Sequence, residues 1–358
     1  TDKRWANRVA FDVREKGRTV VGADGRKVEQ PGMLKAVRGV GWYIPEYGCA
    51  QVSLNLIDLD TTPLHAAFDA CEDSARARGI RVTGSELVGL VPKRSMVDAG
   101  RHYLRRMERS PGAPISDLVQ VAIRTLGLND VAPFVAEEKI IEDILAPARP
   151  LASMTVQGFA DETSRDSPAP GGGSVAALAG ALAAALAAMV ANLAHPKPAF
   201  AAVREELELL AVRGQELKQQ LLDAIDEDTW AFQRLMEASA SGDAEAGRSA
   251  TLHAAEVPLA VAEACAEIAA LCVRAIEIGM PASASDAGVG AAMARAAAVG
   301  AGMNVAINLQ DMAGDAVAAE LRRRAEEAVR RTAATADEAE RRVWQRIGQG
   351  AGREVKDS

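Results

Sequence analysis

The chain has 358 residues, a formal net charge of −8 and only 4% aromatic residues. That length allows two domains with separate cores. The acidic balance and the lack of aromatic stacking platforms argue against nucleic acid as a main partner. Four cysteines, Cys49, Cys71, Cys265 and Cys272, show no CxxC spacing, and the four histidines form no HExxH motif. Both observations point away from a metal site, and unpaired thiols fit a reducing cytoplasm. The first residues, Asp2, Lys3 and Arg4, are charged and do not read as a secretory signal.

The first half reads as mixed α/β. Residues 3–16 alternate charged and apolar groups at helical spacing, and 18–31 read as a loop with Gly22, Gly25 and Pro31. Residues 36–44 and 50–56 predict two strands joined by Pro45-Glu46-Tyr47-Gly48, a hairpin turn. Thr62-Pro63 opens a helix to about Arg78. Residues 79–83 read as a further strand followed by the segment 84–92, and helices are predicted near 93–106 and 114–126. The pattern is β-β-α-β-α, a mixed sheet with helices. His65, Glu86, Trp42 and Asn55 stand out as polar or aromatic features, with structural roles favoured for His65 and Glu86.

Ala146-Pro147-Ala148-Arg149-Pro150 is a short semi-rigid linker. The predicted boundaries are 1–145 for the α/β part, 146–153 for the linker and 154–358 for an all-α part. A short helix over 155–164 precedes Pro168-Ala169-Pro170-Gly171-Gly172-Gly173-Ser174. This Gly-rich loop feeds an uncharged run from Val175 to Ala194, with Ser174 in the place of a helix cap. Such a loop offers free backbone N–H groups to an anionic or polarised ligand. It lacks the Lys-Ser or Lys-Thr of a nucleotide loop. The uncharged run is about as long as a bilayer is thick, but its alanines suit a closely packed central helix better than a membrane span.

A long helix follows over about 201–238. Its apolar seam runs through Val203, Leu207, Leu210, Gly214, Leu217, Leu221, Ala224, Asp228, Ala231 and Leu235. Asp228 stands where the pattern calls for leucine, while Asp223, Asp226 and Glu227 fall off the seam as solvated groups. A carboxylate on a buried stripe is either bonded to a neighbouring helix or tuned for acid–base work. The next helix covers about 250–278 and holds Pro258, a predicted kink. Ser283-Ala284-Ser285-Asp286 resembles a cap for a helix over 287–330. On that helix Asn304, Asn308, Asp311 and Asp315 form one polar stripe, which suits either a heterocycle's edge or an interhelical network. The segment 321–346 alternates acids and bases as a solvated face.

Gly39-Val40-Gly41-Trp42-Tyr43, Ala50-Gln51-Val52-Ser53-Leu54-Asn55-Leu56, Gly84-Ser85-Glu86-Leu87-Val88-Gly89-Leu90-Val91-Pro92 and Lys139-Ile140-Ile141-Glu142 resemble the C-terminal subdomain of glutamate formiminotransferase over about 3–145. In that family the catalytic histidine belongs to a preceding subdomain, so the resemblance implies a partial transferase module without it. Pro170-Gly171-Gly172-Gly173-Ser174-Val175, Ile225-Asp226-Glu227-Asp228 with Ala231-Phe232, Val257-Pro258-Leu259, Ser285-Asp286, and Asn304 with Ile307-Asn308-Leu309 resemble the formiminotetrahydrofolate cyclodeaminases, a family that includes a methenyltetrahydrofolate cyclohydrolase. Ser239-Ala240-Ser241-Gly242-Asp243 departs from it by lacking a Leu-Pro.

This second resemblance implies cyclodeamination of 5-formiminotetrahydrofolate to 5,10-methenyltetrahydrofolate, with tetrahydrofolate as one-carbon carrier and no metal. It places the proton donor on Asp228. Gly171, Gly172, Gly173 and Ser174 would offer backbone N–H groups, and Asp286, Asn304 and Asn308 would hold the pterin or the amidine. Arg165 and Lys197 lie where a glutamate or polyglutamate tail could reach. A homo-oligomer, at least a dimer, is implied, with neither membrane nor nucleic acid as partner. The alternatives are a cyclohydrolase and a catalytically silent folate-binding or assembly module.

Overall fold

The computed structural model describes residues 2–167 and 169–351, apart from the side chains of 348–351. Pro168, the first residue of the Gly-rich loop as read above, lies outside the described residues. The chain divides into two compact units, Thr1–Ala146 and Pro147–Ser358.

In the first unit α1 (Lys3–Val13) starts at Asp2, whose side chain accepts from Arg4 N at 2.8 Å. Residues 18–31 are not a loop. They form a hairpin of β1 (Arg18–Val21) and β2 (Lys27–Gln30), whose cross-strand partners run from Arg18 with Gln30 to Val21 with Lys27. Alternation was hidden there because β2 is exposed along its whole length. The predicted hairpin of β3 (Val37–Ile44) and β4 (Cys49–Leu56) is present, with Gly41 opposite Val52. α1 lies across it so closely that a Cβ on Gly41 would overlap Asn7 N, and Asn7 Oδ1 accepts from Gly41 N at 3.0 Å.

Three longer helices, α2 (Leu64–Arg76), α3 (Lys93–Arg106) and α4 (Ile115–Thr125), and two short ones, α5 (Ala136–Lys139) and α6 (Ile141–Leu145), complete the unit. Met96, Tyr103, Ala122, Ile123 and Ile140 pack as one core. The predicted strand at 79–83 does not form, and 84–92 contributes one parallel bridge, Val91 with Ile140. Ile80 and Val82 do bury apolar surface beside Val13 and Ala75. A strand also needs a neighbour for its backbone groups, and none of the described strands lies alongside this segment. Among the described residues the unit therefore holds two small antiparallel sheets rather than one mixed sheet.

In the second unit α7 (Val156–Thr163) is capped by Thr155, whose side chain accepts from Gly158 N at 3.0 Å. Four long helices follow: α8 (Gly172–Ala194), α9 (Arg204–Ser241), α10 (Ala244–Ile278) and α11 (Ala284–Asn308). α12 (Ala316–Ala351) closes the unit. α8 packs on α9, α10 and α11. Ala183, Ala184, Ala187, Ala188 and Ala191 are fully buried along it. Small side chains let the neighbours approach: a Cβ on Gly214 of α9 would stand 3.0 Å from Ala188 Cβ. α8 and the stretch 281–308 are long and apolar enough to cross a membrane by length and composition, and 61% of the apolar window in α8 is buried inside the unit.

Three sequence expectations shift in this unit. α10 begins six residues before the predicted start, at a cap made by Asp243, which accepts from Glu245 N and Ala246 N. The helix predicted over 287–330 is two helices, broken between Asn308 and Ala316, where Gly314 takes φ +90°. Asp315 caps α12 through Val317 N and Ala318 N, so Asp311 and Asp315 leave the polar stripe.

The third shift concerns Asp226, read as solvated. It is 1% exposed, and its carboxylate accepts from Leu151 N at 2.9 Å and Ala152 N at 3.1 Å. The segment after Pro150 folds over that side of α9, a tertiary event the seam of one helix cannot register. Asp226→Ala leaves two backbone donors unpaired in a dry site. It should lower unfolding stability by about 3 kcal/mol in urea titration.

Candidate functional site

The site is built at the first turn of α8. Gly171 is the N-cap, in an extended conformation and without a side-chain cap bond. Ser174 is therefore not the cap expected from sequence but the third residue of the helix. An uncapped helix start presents donors and a partial positive charge. Here a carboxylate from another helix answers them. Asp228 of α9 accepts from both the backbone N–H and the hydroxyl of Ser174, the latter at 3.2 Å. The same hydroxyl lies 2.9 Å from Ile225 O, and Ser174 is fully buried.

Two glycines make this approach possible. A Cβ on Gly173 would overlap Asp228 Oδ1 and lie 2.6 Å from Oδ2. One residue earlier, a Cβ on Gly172 would stand 3.3 Å from Asn304 Nδ2 of α11 and 3.8 Å from its Oδ1. The first turn of α8 is thus bordered by Asp228 on one side and Asn304 on the other. Gly171 and Gly172 are exposed, so this turn opens to solvent, while Asp228 and Asn304 are half-buried.

The electrostatics of Asp228 follow from this placement. Burial pushes its carboxyl above the usual carboxylate range, and the two Ser174 donors pull it partly back. A carboxyl raised in this way keeps its proton closer to neutral pH and can deliver it to a leaving group. His253, by contrast, is tied to Glu227 at 3.3 Å and lies 3.6 Å from Glu256.

The other sequence-predicted residues divide. Asn304 is at the site, its Nδ2 donating to Gly300 O at 2.8 Å and its amide facing Gly172. Asn308 spends its Nδ2 on Ala254 O of α10 at 2.7 Å, the interhelical bond that was its alternative reading. Ser174, expected to meet substrate, is sealed in the core and acts on Asp228 instead. Asp286 sits in the first turn of α11, 18 residues before Asn304, which puts it about 27 Å along the axis. Within one chain the fold does not bring Asp286 to Asp228. Arg165 is paired with Glu162 at 2.6 Å.

A cavity of about 470 Å³ lies on an adjoining face of α9, walled by Leu221, Ala224, Glu227, Trp230, His253 and Val257. Asp228 does not line it. The described residues include no group of three or more His, Cys, Asp or Glu side chains placed to hold a metal ion.

Residues 155–327 match the family model described as formiminotransferase-cyclodeaminase, and residues 1–146 match the formiminotransferase domain. A methenyltetrahydrofolate cyclohydrolase of Methylorubrum extorquens is 31% identical over 175 residues, 46% of this chain and 84% of that protein. The chain belongs to the formiminotransferase-cyclodeaminase family. The formimidoyltransferase-cyclodeaminase of Gallus gallus is 35% identical over 322 residues, 87% of this chain and 58% of that relative. The chain thus spans somewhat over half the length of such relatives. The formiminotetrahydrofolate cyclodeaminase of Thermotoga maritima, a solved structure, is 27% identical with a TM-score of 0.49. The match covers 56% of this chain and 98% of that one. Asp228, Asn304 and the Gly171–Ser174 turn all lie within the matched cyclodeaminase segment.

Proposed function

We propose that the helical unit converts 5-formiminotetrahydrofolate to 5,10-methenyltetrahydrofolate and ammonia, with Asp228 as proton donor. The observation that carries this reading is the Asp228 carboxyl, raised by burial and held at the open first turn of α8. The formimino group is an amidine on N5. N10 attacks its carbon, the N10 proton passes to the former imine nitrogen, and a five-membered ring with an exocyclic amine results. An amine leaves far more readily as ammonia than as amide ion. Asp228 supplies the proton, the C–N bond breaks, and the methenyl cation forms beside the new carboxylate, which stabilises it. Asn304 is positioned to orient the pterin or amidine with its paired donor and acceptor.

The direct test supplies 5-formiminotetrahydrofolate and follows methenyltetrahydrofolate absorbance together with ammonia. Absence of both products with folate still bound favours a silent binding module. A second reading, hydrolysis of the methenyl compound, is favoured by the cyclohydrolase relative named above. Supplying methenyltetrahydrofolate and watching its absorbance decay separates the two.

Ser174 tunes the same acid. Ser174→Ala removes one of the bonds that hold the Asp228 carboxyl down, so its protonated form persists to higher pH. Activity that needs the protonated acid falls as pH rises through this value. The descending limb of the kcat/KM profile is therefore expected to move to higher pH in the variant. An unmoved limb assigns that limb to another group.

The chain's part in formimino transfer from formiminoglutamate is the folded unit 1–146. We assign no transfer residue within it. For assembly, an apolar stripe is exposed on each of two packed helices: Val175, Leu182, Met189 and Leu193 on α8, and Val289, Met303 and Ile307 on α11. A stripe of this size fits burial against a second copy of the chain, and sedimentation of the whole chain tests it. Folate derivatives, including polyglutamylated ones, are the expected small-molecule partners. The four free cysteines suit a cytoplasmic setting.

A further inference from the structure

Among the described residues Phe232 of α9 is the one exposed phenylalanine. Its exposure is 41%, whereas Phe159 is buried and the other four are half-buried. Ala231 and Leu235, its neighbours in the seam of α9, pack with Ala254 and Val257 of α10, and Phe232 stands outside that cluster. A single exposed apolar side chain is ordinary on a protein surface. The position of this one is not, because Phe232 follows Asp228 by four residues.

Residues four apart are neighbours on a helix surface, with Cβ atoms about 5–6 Å apart. Aromatic side chains of a helix lean toward its N-terminus, which for Phe232 is the Asp228 side. Four residues also carry the helix about 40° beyond a full turn. The line through Asp228, Phe232 and Met236 therefore drifts out of the seam: the acid is half-buried, Phe232 is more open, and Met236 is 56% exposed. On the opposite flank of the seam Glu227 and Arg234 bond each other, and Trp230 lines the cavity described above. The apolar surface that α9 offers beside the acid is thus Phe232 with Met236.

The other groups at the open turn are polar: the backbone of Gly171 and Gly172, the Asp228 carboxyl and the Asn304 amide. They suit a pterin and a formimino group but offer nothing to the flat aminobenzoyl ring that the substrate carries on N10. We infer that Phe232 is the platform for that ring, with the Met236 side chain extending it. Aromatic rings pack in offset or edge-to-face pairs, and a methionine sulfur adds to such a contact. In ring closure N10 attacks the carbon whose nitrogen Asp228 protonates. The aminobenzoyl ring is bonded to N10, so a platform one helical turn from the acid lies within its reach and holds N10 toward that carbon. The inference rests on the reading of Asp228 as proton donor and goes beyond it by naming what binds the aryl half of the substrate.

The probe is 5-formyltetrahydrofolate, which carries oxygen in place of the imine nitrogen and cannot release ammonia. Equilibrium dialysis with the whole chain is expected to show Phe232→Ala weakening its binding about tenfold, and Phe232→Tyr restoring it. In turnover KM should rise by a similar factor, with kcat changed less than about twofold, because the ring stacks alike in the substrate and the transition state. Competition by p-aminobenzoylglutamate should weaken about tenfold in Phe232→Ala, and competition by 6-methyltetrahydropterin should stay as in the parent. Phe232 is exposed, so circular dichroism and sedimentation of the variant should match the parent. A parent chain that binds no probe overturns the folate reading of the site and this inference with it. Binding by the parent that Phe232→Ala leaves unchanged overturns the platform alone. The platform is equally overturned if the variant shifts sedimentation, which assigns the ring to a subunit contact, or if the pterin fragment is the one whose competition weakens.

Discussion

Asp228→Asn is expected to lower the rate of ring closure by roughly 10²- to 10⁴-fold, the usual worth of a positioned general acid, while the protein stays folded. Asparagine matches the shape of the carboxyl and can still accept from the Ser174 donors, but it has no acidic proton to give. The stability consequence has a definite sign. The folded carboxyl sits above its unfolded value of 3.8 because it is buried. Its contribution to stability is present below that value and is lost as pH rises through the folded one. At neutral pH the ionised group is therefore a cost, and the amide removes it. Thermal unfolding of the variant should occur at the same or higher temperature than the parent at pH 7, with the gain vanishing in acid. Loss of turnover without loss of stability identifies a chemical role. Unchanged turnover removes Asp228 from the mechanism.

Gly173→Ala should cost activity almost as heavily, for a steric reason. The new Cβ would overlap the Asp228 carboxylate, which sits on a short side chain and is held by Ser174. Two effects on stability oppose each other. Overpacking costs about 1–3 kcal/mol, and replacing a helical glycine by alanine returns about 1 kcal/mol. The net change in folding is modest. The carboxyl must move, however, and a displacement near 1 Å costs on the order of 10²-fold in rate. Gly172→Ala is the matched control. Its Cβ meets only the amide end of Asn304 at 3.3 Å, so most of the activity should remain. Equal loss in both variants points to damage of the whole turn rather than to displacement of Asp228.

Several features were legible because they depend on neighbours in the chain. The β3–β4 hairpin was visible from two alternating runs around Pro-Glu-Tyr-Gly, and α3 and α4 from their periodicity. Gly171–Ser174 announced a helix start, since glycines before an alanine run have few other uses. The exposed hairpin β1–β2 was missed because no apolar face marked it. The break between α11 and α12 was missed because the run of small residues masked the Gly314-Asp315 turn.

The sequence alone determined the division into an α/β part and a helical part, the helix carrying Asp228, and the family. Periodicity, turn chemistry and motif spacing are local, and they survive without coordinates. The tertiary structure decided what each polar group does. Asp226 and Asp228 stand two residues apart on one helix and look alike in sequence. The fold covers one with the backbone of 151–152 and sets the other against the open start of α8. Asn304 and Asn308 share a stripe, yet one faces Gly172 and the other bonds α10. Burial and hydrogen-bond partners come from segments far away in the chain. They set whether a carboxyl is a structural latch or an acid.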